Sequence, residues 1–219
     1  MQPGSTDRTT LRRISHKASH DQADLYSILD DNLVAHVGVV ESGQPLVIPM
    51  TYGRSGNTLY LHGSSGSRLM RLLADNPSVC ISITELNALK IARSTFNSGM
   101  HYRAAVIFGT ARLVSDQDKL QALDALSDGL IPGRNPEARP TTKKELAATI
   151  IISVELDETS VKISKNEVDD PEEDMNLGYW AGIIPLKTVA SEAIPADDES
   201  AGLPVPPSVM RFIEQRRGS

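Results

Sequence analysis

Alternation of apolar and polar positions divides the chain into a few helical stretches set among many short strand-like runs. From Asp21 to Asp30, Leu25, Ile28 and Leu29 recur at i, i+3 and i+4 behind an acidic first turn, which predicts a helix. The period then shortens. Residues 34–40 (VAHVGVV) and 45–53 (PLVIPMTYG) predict two strands separated by the turn ESGQ, and after RSGN a third strand covers Thr58 to His62. A Gly/Ser turn follows, and Arg68 to Asp75 reads as an amphipathic helix stopped at Asp75-Asn76-Pro77, because the residue before a proline avoids the helical region.

Residues 79–86 and 88–94 predict two strands joined near Asn87. After the small-residue stretch 95–101 comes the longest β run, 102–114, whose interior Gly109 predicts a bulge or a close backbone approach. A helix over 117–126, a Pro/Gly loop over 131–140, a short helix over 143–148 and closing strands over 149–156 and 160–165 complete the body. About seven strands, mostly joined by hairpins and accompanied by few helices, predict a mainly β fold. The expected form is an antiparallel six- to seven-stranded barrel with flanking helices, not a doubly wound sheet. Three regions follow: a polar, basic arm over 1–20, the barrel domain over 21–165, and an acidic, Pro-rich extension over 166–219 around one apolar island, 177–186.

Charge narrows the partners. The net charge of −6 is concentrated late in the chain, where residues 155–199 hold 13 acidic against 3 basic side chains, leaving 19 basic and 15 acidic elsewhere. A mildly positive body suits a small anionic ligand, and with only 4% aromatic residues it offers no nucleic-acid surface. Neither a long apolar run nor a signal-peptide core is present, so the expectation is a cytoplasmic chain with no membrane partner. The single cysteine, Cys80, sits in the apolar run VCISI and reads as a buried, inert thiol. The five histidines lack metal-ligand spacing, and no metal site is expected.

The stretch with chemical promise is LYLHGSSGSRLMRLLAD, 59–75. Small side chains at a helix start, hydroxyls from Ser64, Ser65 and Ser67, the backbone freedom of Gly66 and the charge of Arg68 are what a bound phosphate needs. An ordinary serine cap on a surface helix is the alternative. His62 ends the strand just before that turn; it is either a satisfied structural histidine or a group facing a cofactor or substrate.

The order of elements, together with Ile91-Ala92-Arg93-Ser94, His101-Tyr102-Arg103, the run VIFGTARLV (106–114) and WAGIIPL (180–186), resembles the flavin-binding split barrel of the pyridoxamine 5′-phosphate oxidase superfamily. The likeness covers about residues 20–165 and is nearer to the flavin-nucleotide-binding, nitroimidazole-reductase-like branch. It implies a homodimer with FMN at the interface. Val47, Ile48, Pro49 and Met50 would run along the flavin ring through their backbone, and Ser64, Ser65, Gly66, Ser67 and Arg68 would hold the phosphate. Ser94, Asn97, Ser98 and Tyr102 would come from the other subunit. Trp180 is either a flavin cap or a core or dimer anchor.

The same resemblance exposes departures. True oxidases of this superfamily carry basic residues at positions matching Val47, Tyr52 and Leu69, and a glutamine matching Ala104, so the oxidase reaction itself is not implied. What is implied is an FMN-dependent oxidoreductase acting on a small planar substrate, with NAD(P)H as the candidate donor and His62 and Tyr102 as candidate catalytic proton donors. Two alternatives stay open: a flavin-binding carrier or sensor without turnover, and the same barrel holding a deazaflavin or haem-like ligand.

Overall fold

A computed structural model describes residues 2–75 and 77–217. The first helix forms as the periodicity demands. In α1 (Gln22–Asp31) the Asp21 carboxylate accepts the Ala23 N–H at 2.8 Å as a cap, and Leu25, Ile28 and Leu29 are buried. Ahead of it, a short strand β1 (Ala18–Ser19) ends the N-terminal arm. In β2 (Ala35–Glu41), Ala35, Val37 and Val39 point into the core. A two-residue turn, Ser42 and Gly43, with φ of 50° and 78°, returns the chain as β3 (Gln44–Met50). Two consecutive left-handed residues match the right-handed twist of the hairpin.

The run at 45–53 is two strands. The chain turns a corner at Thr51, leaves the first sheet, and continues as β4 (Tyr52–Ser55) and β5 (Thr58–Ser64) in a second one. After α2 (Arg68–Asp75) come β6 (Ser78–Ile91) and β7 (Gly99–Thr110); Asn76 of the expected helix stop lies outside the described residues. A second corner follows at Ala111, whose N–H donates to the Pro77 carbonyl at 2.6 Å, and the chain crosses back as β8 (Arg112–Leu113). Then follow α3 (Lys119–Leu130), α4 (Lys143–Ala148), β9 (Thr149–Glu155) and β10 (Glu158–Ser164).

All strand pairs are antiparallel. The larger sheet runs β1-β10-β7-β6-β2-β3, the smaller β4-β5-β9-β8. Leu59, Leu61, Ile152 and Val154 of the small sheet pack on Val37, Ile81, Ile83 and Ile107 of the large one, with α1 and α2 plugging the ends. This is the expected antiparallel split barrel with flanking helices: two sheets joined at corners, with no closed ring of hydrogen bonds among the described residues. It has more strands than six or seven because corners divide two apolar runs and because the arm and the extension each add a short strand.

One correction and two refinements have local causes. β6 is one strand, not two; its register shifts between Leu86 and Ala88, so Asn87 marks a bulge and not a turn. Gly109 is the close approach, since a Cβ there would lie 2.5 Å from Val154 Cγ1. The extension beyond 166 contains secondary structure. Its strand β11 (Gly182–Pro185) pairs with residues 88–91 of β6, a short helix α5 (Asp198–Ala201) follows, and α6 (Pro207–Gln215) docks through Ser208, whose N–H donates to Glu137 at 3.0 Å. Among the described residues no helix is long and apolar enough to cross a membrane.

Candidate functional site

The turn between β5 and α2 is built by its own small residues. Gly63 leaves room for Met70, since a Cβ there would lie 2.7 Å from Met70 Cγ and displace that side chain. The Ser65 N–H donates to Ala148 O at 3.0 Å, fixing the turn to the end of α4, and the Ser67 N–H donates to Ser64 O at 2.9 Å. Ser64 Oγ accepts the Gly66 N–H at 3.2 Å, and Ser67 Oγ takes the Met70 N–H in a long 3.5 Å cap. The amides of Arg68 and Leu69 have no acceptor among the described residues, as expected for the first turn of a helix.

Arg68 is 64% exposed, and its guanidinium faces Glu41 at the end of β2. Nε donates to Glu41 Oε1 at 3.0 Å and Nη2 pairs with Oε2. The guanidinium holds the Glu41 carboxyl below its usual range, and the carboxylate raises Arg68 in return. His62 lies two residues before Ser64 on the same face of β5 and is exposed; the protein around it still desolvates the ring enough to lower its pKa.

β3 forms the free edge of the large sheet. Val47 and Pro49 are exposed on its outer side, while Ile48 and Met50 pack against the core. Tyr52, just past the corner, is buried, and its O–H donates to Leu29 O at 2.6 Å, so its side chain faces the interior. Beside Val47 lies an open groove of about 330 Å³, floored by Gly38 and Cys80 and bordered by Pro45, Phe108 and Arg8. Arg8 comes from the N-terminal arm, stacks 4.7 Å from the Phe108 ring centroid and pairs with Glu158. Burial pushes the half-buried Cys80 thiol up.

Ser94, Asn97 and Ser98 sit between β6 and β7 and bond mainly to one another. Ser94 Oγ accepts the Asn97 N–H at 3.2 Å, while Ser98 Oγ donates to Ser94 O at 2.9 Å and accepts the Ala92 N–H at 3.0 Å. Arg93 next to them grips Asp170, whose side chain is 1% exposed, and Phe96 at the tip is 93% exposed. Tyr102 is half-buried on β7, opposite Leu86, with the Lys162 ammonium 5.8 Å from its ring centroid. β6 carries the register from Cys80, opposite Gly38, out to Ile91, so this loop stands at the far end of the sheet from Val47. One chain thus brings His62 together with Ser64–Arg68, and ties that turn to the β2–β3 hairpin through Glu41. It does not bring Ser94, Asn97, Ser98 or Tyr102 to them.

Two groups escape a reading of the sequence. Glu41 lies 27 residues from Arg68 at the end of β2, and nothing in its neighbourhood marks it. Arg8 lies in a polar arm, where only the tertiary placement of the arm on β10 gives it a role.

Residues 21–163 match the family described as pyridoxamine 5′-phosphate oxidase. No curated protein sequence matches the chain. Among solved structures, the chain is similar to the FAD and heme binding protein from Mycobacterium smegmatis, with 41% identity, a TM-score of 0.87, and coverage of 90% of this chain and 97% of that one. It is also similar to the flavocytochrome Anf3 from Azotobacter vinelandii, with 34% identity, a TM-score of 0.89, and coverage of 97% and 98%. Both likenesses run nearly end to end, and the family match spans α1 through β10, the stretch that builds the split barrel and the Ser64–Arg68 turn. This chain is therefore a member of the pyridoxamine 5′-phosphate oxidase family.

Proposed function

We propose that the protein is a flavin-binding redox protein that also takes a haem. The observation that carries this reading is the 41% likeness, over nearly the whole of both chains, to a protein described as binding FAD and heme. The flavocytochrome at 34% identity supports it independently. Where the sequence resemblance pointed to FMN, that description favours FAD, and we take FAD as the flavin.

The residues present fit the phosphate of such a ligand. The exposed Arg68, the open amides of Arg68 and Leu69 and the exposed Ser65 hydroxyl converge at the start of α2, where the helix dipole adds partial positive charge. Val47, Ile48, Pro49 and Met50 offer an unpaired strand edge along which a flat ring system can lie. The rings of His36 and His62 have no hydrogen-bond partner among the described residues, so either imidazole is available to a haem iron. Bound flavin and haem supply hydride and single-electron transfer, while this chain supplies orientation, charge and proton positions. In this reading His62, where it does not hold the haem, and Tyr102 of the other protomer would hold a proton for a small planar acceptor, with NAD(P)H as donor.

The assembly in this reading is a homodimer. Leu86, Leu89, Met100 and Ile184 are exposed neighbours on one face of β6, β7 and β11, and a second copy of the chain would cover them. That pairing would bring Ser94, Asn97, Ser98 and Tyr102 of one protomer toward the strand edge and turn of its partner.

The test is the absorbance spectrum of protein purified from haem-replete cells, with flavin bands and a Soret band expected together. Absence of both overturns the reading. Replacing His36 and His62 singly with alanine and following the Soret band identifies the ligand. Arg68→Ala should weaken flavin binding about tenfold or more. A non-catalytic flavin carrier is the second reading, favoured by the apolar Val47 and inward-facing Tyr52 at positions where the resemblance leads one to expect charges. NAD(P)H consumption no faster than with free flavin would select it.

A further inference from the structure

We infer that Glu41 sets which flavin this site prefers, by discriminating against a terminal phosphate dianion. The inference rests on Arg68 being the phosphate ligand. Glu41 occupies the two-pronged edge of that guanidinium, through Nε at 3.0 Å and through Nη2. That is the edge with which an arginine grips a phosphate most strongly.

The pair is not a structural strut. Arg68 is 64% and Glu41 29% exposed, and ion pairs so placed add little to stability. Its position is what gives it a consequence. Glu41 is the last residue of β2, immediately before the two left-handed residues that turn the chain into β3, so its carboxylate links the hairpin that carries the proposed flavin strand to the phosphate turn. Any phosphate reaching Arg68 meets a fixed negative charge within the same cluster. The repulsion scales with the charge brought in. FMN ends in a monoester of about −1.5 to −2, whereas FAD presents singly charged diester phosphates of about −1 each. Glu41 therefore costs FMN more than FAD, and the site leans to the dinucleotide without any contact to adenine.

The experiment titrates flavin-free, full-length protein with FMN and with FAD, following flavin fluorescence, for wild type, Glu41→Gln, Glu41→Lys and Arg68→Ala. The ion pair lies at the surface and adds little to stability, so both variants keep the fold. Removing the charge should tighten FMN about two- to fourfold more than FAD, the scale of one extra partial charge at a few ångströms in a solvated site. Lysine should move the preference further the same way. An FAD-to-FMN preference that is unchanged or widened in Glu41→Gln, or a loss of affinity for both ligands, overturns the inference and makes Glu41 a positioning residue for Arg68. Unchanged affinity for both flavins in Arg68→Ala is a different failure: it removes Arg68 from the phosphate site and with it the premise.

Discussion

Gly53→Ala is the perturbation whose cost the structure specifies most directly. Helix α3 lies on β4 so closely that a Cβ at Gly53 would stand 2.3 Å from Ala125 O, 2.5 Å from Leu126 Cα and 2.6 Å from Ala125 C. The approach is mutual: a Cβ at Gly129 would meet Gly53 Cα and Tyr52 O, each at 2.8 Å. All of these obstacles are backbone atoms, so no rotamer change relieves them. For ordinary contact the helix has to retreat by about 1 Å, which loosens Ala122 and Leu126 from Val114 and Ile151 beneath them. Overpacking of this kind costs about 1–3 kcal/mol, and the absence of a soft neighbour puts this site at the upper end; the loss of glycine's unfolded-state freedom returns about 0.5–1. The net expectation is about 2 kcal/mol. With a urea m-value near 2–3 kcal/mol/M, the midpoint should fall by roughly 0.7–1 M. The control is Gly99→Ala, where an added methyl meets nothing within 4 Å. Urea titrations followed by circular dichroism would refute the reasoning if the two variants unfolded at the same midpoint. Gly53→Ala combined with Gly129→Ala should cost less than the sum, because one displacement of α3 accommodates both methyls.

Three other expectations are narrower. Tyr52→Phe removes the donor to the buried Leu29 carbonyl and should cost about 1–2 kcal/mol in the same denaturation assay; a neutral result would mean that water replaces the hydroxyl. Asp170→Asn leaves Arg93 without its carboxylate and should cost about 3 kcal/mol locally, seen as faster amide exchange in β11 and around residues 92–98, with β9 as the unaffected reference. Glu145 is held near pKa 2, below its ordinary 4.5, first by Arg139 and then by the Thr142 N–H and hydroxyl. Its contribution to the start of α4 is complete above pH 4.5 and disappears as pH falls through about 2, so a carboxyl resonance titrating near 4.5 would contradict the capping geometry.

Much of this fold is legible before any coordinates, and the gaps have physical reasons. Leu25, Ile28 and Leu29 identify α1 because a surface helix has to bury one face, and the alternation at 35–40 does the same for β2. Corners leave no such mark. At Thr51 and Ala111 the apolar run continues without a turn residue while the hydrogen-bonding partner changes, so 45–53 and 102–114 each read as one strand. Asn87 misleads in the opposite direction, since a residue at home in turns serves as a bulge. The tail's last helix did leave a signal: Pro206-Pro207 ahead of Val209, Phe212 and Ile213 is a proline start followed by helical spacing, masked by its acidic, Pro-rich surroundings. In the site, the Ser-Arg turn is visible because its chemistry is contiguous. Glu41 is not, because hairpin geometry alone delivers it to Arg68.

The arm bears on the order in which the molecule is completed. Gly4 N–H donates to Thr159 O at 2.7 Å, Thr6 and Arg8 both bind Glu158, and β1 pairs with Lys162 and Val161. Every one of these partners belongs to β10, more than 140 residues away. During synthesis the arm has none of these backbone and carboxylate partners until β10 has emerged and paired with β7. Seating of the arm is therefore a late event that reports the docking of β10.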